Sequence, residues 1–387
     1  MDPTATHTGR GDPTGTLDEA LERLHSTGPE FEGWLTNHAP MAVEALVRHG
    51  QTGLVHRWLD GYADRLEDLP GSRAPVTDTN WRAALGDPSR LTDWTRFFTH
   101  KMEERPWRDV LALWWPLLLP GISGGATHPV IRTGHAVRAL LTEGGDTSPR
   151  RAELAHALGY WAARHSTLAE IEMLPGRASA DEGYDAVPLI ADQSGGIGER
   201  LARISALPHR PHHTTEAGNR LGPEGGSTGL ESGGTGPEGG STDPDGTSTG
   251  PERARADLEE IVRAATHRYA THAHGSPVML VHAATAPNAV LRVLPALPRE
   301  LWAASVDAAW AASAAVTAIY GPSQGMPAPT GGGLTPQEAF AGAAAHGDEH
   351  AIKFADTALD VAARENGEDP LAVAAVLRTT QLIEPAR

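Results

Sequence analysis

The sequence contains no cysteine. Disulfide frameworks, thiolate metal sites and cysteine nucleophiles are therefore excluded. Basic residues are scarce beside acidic ones: 32 Lys and Arg stand against 49 Asp and Glu, for a formal net charge of -17. That balance disfavours nucleic-acid backbones and anionic membranes as partners. Long apolar runs are missing too. The longest, Val110 to Leu119, holds ten residues, whereas a membrane helix needs about 20. Met1 to Thr16 is polar and lacks the basic-then-apolar order of a signal peptide. These absences together give the expectation of a soluble cytoplasmic protein. Regular strand–helix alternation is also absent, which argues against a parallel-sheet fold.

What is present is helical periodicity. The chain has 387 residues, 40% of them hydrophobic, so a substantial core is possible. Apolar spacing predicts helices over Leu17 to Leu24, from Met41 onward, Leu54 to Leu66, Trp81 to Gly86, Thr92 to Glu104 and Glu153 to Arg164. The stretch opened by Pro106-Trp107 is apolar on all sides. It reads as a buried helix ending near Pro116 to Gly121. Further helices are expected over Ala256 to Ala270, from Val278, over Leu301 to Ile319, Gln337 to Arg364 and Pro370 to Ile383.

From Pro208 to Glu252 the composition falls to Gly, Pro, Ser, Thr and Glu, and Gly222-Pro-Glu-Gly-Gly-Ser-Thr recurs at Gly236 to Thr242. Such a segment cannot bury enough apolar surface to offset its ordering entropy. The expected organisation is a disordered tail at 1–16 and one helical domain built from 17–207 and 253–387, interrupted by a disordered insertion at 208–252. The expected fold class is all-α: a single large multi-helix domain enclosing a central metal or substrate pocket.

There are 19 histidines. His7 lies in the tail, His209, His212 and His213 lie at the edge of the insertion, and His272 and His274 are expected in a loop. Four others stand out. His38 and His128 each precede a helix whose start is marked by proline, Pro40 and Pro129. The partial positive charge there favours neutral imidazole, the form that binds metals. Helix capping or loop packing explains them equally well on spacing alone. His282 is flanked by Met279, Leu280, Val281, Ala283 and Ala284, so a hydrogen-bonded core histidine is an equal alternative.

His350 belongs to Ala-His-Gly-Asp-Glu-His-Ala-Ile-Lys-Phe-Ala-Asp, from Ala345 to Asp356. On one continuous helix, His346, His350 and Lys353 share a face beside Ile352, Ala355 and Leu359. A lysine directed into that interior is costly unless its charge changes. The alternative is a solvated face with Asp348, Glu349 and Asp356 nearby.

Four segments resemble the questin oxidase-like family. They are Asn37-His38 with its helix, and Trp114-Trp115-Pro116-Leu-Leu-Leu-Pro-Gly121 leading to Gly125-Ala-Thr-His128-Pro-Val-Ile-Arg132-Thr-Gly-His135. The others are Val281-His282-Ala-Ala-Thr285-Ala-Pro287 and Gly347-Asp-Glu-His350-Ala-Ile-Lys353. The likeness spans nearly the whole chain apart from the tail and insertion. It implies an all-helical oxygenase of secondary metabolism that acts on anthraquinone-like aromatic polyketides and opens a ring by oxidative carbon–carbon cleavage. It also implies a non-haem iron, Fe(II), held by His38, His128, His282, His350 and a carboxylated Lys353. Carboxylation would turn an unfavourable buried cation into an anionic oxygen ligand.

Met41 and Arg132 stand where fungal relatives tend to carry further histidines, so the substrate contacts of a bacterial member are expected to differ. His135 and His346 lie on plausible faces as alternative ligands. Dioxygen and a small aromatic molecule are the implied partners.

The competing expectations are a Baeyer–Villiger-type oxidase that uses NADPH without bound metal, a metallohydrolase, and a non-catalytic helical binding protein. A hydrolase of the carboxylated-lysine type needs a strand-borne His-x-His and a barrel, and neither pattern is visible. Gly121-Ile-Ser-Gly-Gly-Ala lacks G-x-G-x-x-G spacing and follows a helix, so no cofactor-binding motif is expected. NADPH enters, if at all, as a diffusing reductant. The ten Trp residues, among them Trp34, Trp114 and Trp115, read as core more readily than as pocket lining.

Overall fold

A computed structural model describes residues 13–211 and 250–386. The residues 1–12 of the expected tail, the residues 212–249 of the expected insertion with its repeat, and His7, His212 and His213 lie outside the described residues. In chain order the helices are α1 (Pro13–Leu24), α2 (Ala39–Arg48), α3 (Val55–Tyr62), α4 (Trp81–Ala84), α5 (Leu91–Glu104), α6 (Trp107–Leu118), α7 (His128–Leu141) and α8 (Ser148–Ala163). They continue as α9 (Ala180–Asp185), α10 (Ile197–Leu201), α11 (Pro251–His272), α12 (Pro277–Val293), α13 (Trp302–Tyr320), α14 (Pro336–His346), α15 (Glu349–Arg364) and α16 (Pro370–Leu382). The strands are short. β1 (Glu30–Phe31) pairs antiparallel with β2 (Leu35–Thr36), and β3 (Glu172–Leu174) pairs parallel with β4 (Ala206–Pro208). The protein is a single, predominantly helical multi-helix domain.

Local chemistry accounts for many of the helix starts. Proline occupies an early position in α2, α7, α8, α11, α12, α14 and α16, where its missing N–H has no intrahelical partner to lose. Asp348 caps α15 by accepting from the backbone N–H groups of His350 and Ala351 at 2.9 and 3.0 Å. Asp369 does the same for α16, and Thr335 forms a capping box with Glu338.

Four helices form a closed ring at the centre. α2 packs on α7, α7 on α12, α12 on α15, and α15 back on α2. Gly134 permits the α7–α12 crossing, because a Cβ there would lie 2.6 Å from the Ala289 Cβ. Pro287 inside α12 deprives the Ala283 carbonyl of its usual N–H, and Ser313 Oγ of α13 donates to that carbonyl at 2.6 Å instead. The remaining long helices surround the ring: α8 backs α7, α13 and α11 back α12, and α16 backs α15. Among the described residues, the helix Pro277–Ala296 is long and apolar enough to cross a membrane, but 83% of its apolar window is buried inside the protein.

Several expectations are corrected. The helix expected over Gln337 to Arg364 is two helices. Gly347 stands between them in the left-handed region at φ +83°, and the chain turns before Asp348 restarts it. α6 buries one face, not all sides: Trp107, Trp114 and Trp115 are buried whereas Leu113 is 52% exposed. The Leu54 to Leu66 helix is shorter, with 3-10 turns on both sides of α3. His272 closes α11 and His274 lies in the following 3-10 turn, where a loop is expected.

Candidate metal centre

The ring helices bring four histidines and one lysine together from distant parts of the chain. His38 is the N-cap of α2, and its backbone N–H donates to the Tyr62 hydroxyl at 3.1 Å. His128 is the first residue of α7, one place later than expected, and Thr127 is the cap. The chain reaches it through Gly125, Ala126 and Thr127, all with φ between 54° and 66°. Left-handed backbone at two non-glycine residues is strained, and such strain concentrates at functional sites. His282 lies in the second turn of α12, and His350 and Lys353 lie in the first turns of α15.

The imidazoles converge edge to face. His38 Nε2 and His282 Nε2 each lie 2.9 Å from His128 Nε2. The His350 ring centroid is 4.5 Å from that of His38 and 6.1 Å from that of His282. His282 and Lys353 are completely buried, and His38 and His128 nearly so. His38 Nδ1, His350 Nδ1 and Lys353 Nζ are buried without a hydrogen-bond partner. Ligand atoms of His38, His128 and His350 come within 4.8 Å of one another, close enough to share one ion.

The electrostatics favour uncharged donors. Burial, followed by the Lys353 amine, holds His38 and His282 well below the ordinary imidazole range. Burial, then His282, does the same for His128. Burial also lowers the Lys353 amine to about 7, against the opposing pull of Glu349 and Asp348. His128 Nδ1 lies 2.8 Å from the Gly125 carbonyl and His282 Nδ1 lies 2.9 Å from the Met279 carbonyl. A carbonyl only accepts, so each ring carries its proton on Nδ1. Both Nε2 atoms then present bare lone pairs to each other. Two acceptors facing at hydrogen-bond distance are stabilised by a cation beside them, and imidazole nitrogen suits iron, zinc, copper and nickel. The residues present therefore fit a transition-metal ion.

Neither alternative ligand joins this cluster. His346 ends α14, and its Nε2 lies 3.1 Å from the Ile383 carbonyl. The Gly347 turn removes it from the face it would share with His350 and Lys353 on a continuous helix. His135 faces deeper into the ring and pairs with Glu44 at 2.7 Å.

Beneath the histidines lies a buried charged layer that sequence reasoning missed. Arg138 and Arg292 both reach Asp356, at 2.9 and 2.7 Å to Oδ2, and Arg138 also pairs closely with Glu44. Arg292 Nε donates to Asp360 at 2.8 Å. Burial would raise Glu44, but Arg138 and then His135 bring it down to about 2. Glu44, His135 and Asp356 are close enough to hold an ion by distance, yet two guanidinium groups fill that space and repel a cation. Each member sits one to three turns beyond a residue of the upper cluster on the same helix: Glu44 after His38, Arg138 after His128, Arg292 after His282, Asp356 after Lys353. The separations differ, at 6, 10, 10 and 3 residues, so no common spacing marks the layer in the sequence.

A cleft of about 930 Å³ opens beside the cluster, lined in part by Trp58, Tyr62, Arg65, Val278, Asp348 and Glu349. Trp58 stacks on Tyr62 with ring centroids 4.9 Å apart, and its indole N–H donates to the Gly347 carbonyl at 2.7 Å. Trp58, not Trp34, Trp114 or Trp115, is thus the tryptophan at this cleft. Trp34 is 67% exposed, and the other two lie in the core.

A family model described as questin oxidase-like matches residues 35–173. The matched span holds His38, His128 and the strained turn before His128, while His282, His350 and Lys353 lie beyond it. No curated protein matches the chain. The partial match to this family model and the buried clusters support an oxidoreductase-type enzyme able to bind a metal.

Proposed function

We propose that this enzyme is a non-haem iron oxygenase that opens a ring of an anthraquinone-like aromatic polyketide by oxidative carbon–carbon cleavage. In this reading His38, His128, His282 and His350 hold the iron through ring nitrogens, and Lys353 holds it through a carbamate. The observation that carries it is the opposed pair of bare Nε2 lone pairs on His128 and His282, 2.9 Å apart beside the unpartnered Lys353 amine. The iron, when bound, supplies activation of dioxygen.

Lys353 has two properties that suit carboxylation. Its amine is neutral for much of the population near pH 7, with its pKa lowered to about 7 by burial. It also lacks a hydrogen-bond partner. The neutral nitrogen attacks carbon dioxide, an N–C bond forms, and the displaced N–H proton leaves to solvent. The product is an anion, which compensates part of a divalent charge that four neutral imidazoles leave uncompensated.

The remaining roles belong to the surrounding residues. The carbonyls of Gly125 and Met279 fix the tautomers of His128 and His282. The charged layer of Glu44, Arg138, Arg292 and Asp356 holds the four ring helices in register. A flat aromatic substrate approaches through the cleft beside Trp58 and Tyr62.

Metal analysis of protein purified without a histidine tag tests the proposal. Iron near one equivalent, with dioxygen uptake lost on chelation, is the expected result. Less than about one-tenth equivalent of iron, with activity unchanged by chelator, would overturn it. Stoichiometric zinc with no dioxygen uptake would point to hydrolysis instead.

A further inference from the structure

Two of the four imidazoles have their outer nitrogens fixed by backbone carbonyls, and two do not. His128 and His282 rest on Gly125 and Met279. His38 Nδ1 and His350 Nδ1 are both buried and unpartnered. One carboxylate lies near both: Glu349 Oε1 is 4.0 Å from His38 Nδ1 and 3.9 Å from His350 Nδ1. Glu349 is itself buried, and Arg65 Nη1 grips both its oxygens at 2.8 and 2.9 Å. Asp348 is the other candidate for His350, at 3.6 Å. Its nearer oxygen already accepts from two backbone N–H groups as the cap of α15.

We infer that Glu349 is a positioning residue for the metal centre, orienting His38 and His350 together, and that Arg65 acts only by holding Glu349 in place. The inference rests on the metal reading of the histidine cluster. A metal-bound imidazole characteristically donates its second N–H to a carboxylate or carbonyl, which fixes the ring and raises its basicity. Closing each gap to a charge-assisted hydrogen bond of about 2.7–2.9 Å takes a shift of roughly 1 Å. Arg65 stands where such a shift is controlled. It is the half-exposed wall of the cleft, its guanidinium lies 5.3 Å from the Tyr62 ring, and the Tyr62 hydroxyl accepts from the His38 backbone N–H. Tyr62 thus holds the His38 main chain, and closing the gap to Glu349 adds a second hold on its ring. Both holders line the cleft. A molecule entering the cleft meets the groups that set the ligands before it meets the ligands.

The test uses cobalt(II) as the probe, with its visible d–d absorption as the signature and a chelator competition for affinity. The full-length chain is compared with Glu349→Gln, Arg65→Gln and the double variant. Glu349→Gln is expected to weaken cobalt binding about 10- to 100-fold and to change the d–d band. Arg65→Gln, which leaves the buried Glu349 carboxylate without its guanidinium, is expected to weaken it less. The double variant should be no weaker than Glu349→Gln alone, because Arg65 acts through Glu349. Asp348→Asn, which removes the other carboxylate near His350 and loosens the α15 cap, should change the d–d band less than Glu349→Gln does. Folded Glu349→Gln protein with wild-type affinity and band, or independent multiplication of the two losses, would overturn the inference. Should Glu349→Gln fail to fold, Arg65→Gln decides: an unchanged band and affinity there also overturn it. Wild-type protein that binds no cobalt would overturn the metal reading itself, a result separate from either of these.

Discussion

His128 and His282 face each other Nε2 to Nε2 across 2.9 Å, and each has its other ring nitrogen committed to a carbonyl three residues earlier in its own chain segment. Neither can donate to the other while both are neutral. The arrangement is unfavourable for protein alone and favourable around a cation. His282→Leu should therefore lower metal content from about one equivalent to under about one-tenth while leaving the metal-free protein folded. Elemental analysis and circular dichroism of the same preparation check both halves.

Lys353 is the second buried group that is unfavourable alone. It is wholly buried and its Nζ has no partner. Lys353→Met keeps the stem and removes the amine, so the metal-free variant should be more stable by about 1–3 kcal/mol, the cost of an unsatisfied buried polar group. Its metal retention should be lost. Urea midpoints and metal content measure these, and a destabilised metal-free variant would show that the amine is satisfied in solution. Restoration of metal binding in Lys353→Ala by a small carboxylate such as acetate or propionate would support the carbamate, as would a labelled carbamate carbon in protein equilibrated with isotopic bicarbonate.

Asp356 is completely buried and receives Arg138, Arg292 and His49. Asp356→Asn leaves two guanidinium groups short of their counter-charge. Breaking a buried ion pair by removing one partner costs about 3–5 kcal/mol. The loss should appear as a lower denaturation midpoint. Because the layer registers all four ring helices, metal affinity should fall with it.

Gly134→Ala probes the same register from the apolar side. The new Cβ would meet Ala289 Cβ at 2.6 Å and Ala289 Cα at 2.7 Å, so α7 and α12 must separate. Overpacking of this kind costs about 1–3 kcal/mol. The separation also moves His128 away from His282, so metal affinity should drop along with the thermal midpoint. An unchanged affinity would show that the two rings do not depend on this crossing.

A pH effect is expected away from the metal centre. His156 stacks on His25 with centroids 4.7 Å apart. Burial, then Arg132 and His25, hold it down to about 3, with Glu153 opposing. Unfolded chain takes up a proton there below about 6.5 and folded protein does not. The unfolded state therefore binds more protons between about 3 and 6.5, so this contribution to stability rises with pH through that window and is fully present above it. His156→Asn should flatten the pH dependence of unfolding by up to about 1.4 kcal/mol per pH unit. Denaturation of metal-free protein at pH 5 and pH 7 measures the difference.

Much of the helical framework is determined by local sequence. Pro40, Pro129 and Pro277 each fix φ at a helix start, and Asp348 and Thr335 supply capping oxygens, all within a few residues of their partners. The histidines that stand out by motif, His38, His128, His282 and His350, are the ones that the fold brings together. Local information also misleads at one point. Periodicity runs unbroken from His346 through Lys353, but Gly347 adopts a left-handed turn and His346 leaves the face.

What tertiary structure alone decides is which residues meet across the ring. Arg138 reaches Asp356 and Glu349 approaches His38 only because α2, α7, α12 and α15 close on one another. Trp58 becomes a cleft residue for the same reason. No spacing within one helix encodes those pairings. They follow from the inter-helix crossings, set by packing at positions such as Gly134 and Ala289, and from the need of each buried charge for an opposite one. The residues that favour a metal are legible one by one, whereas the centre they form exists only in the packed ring.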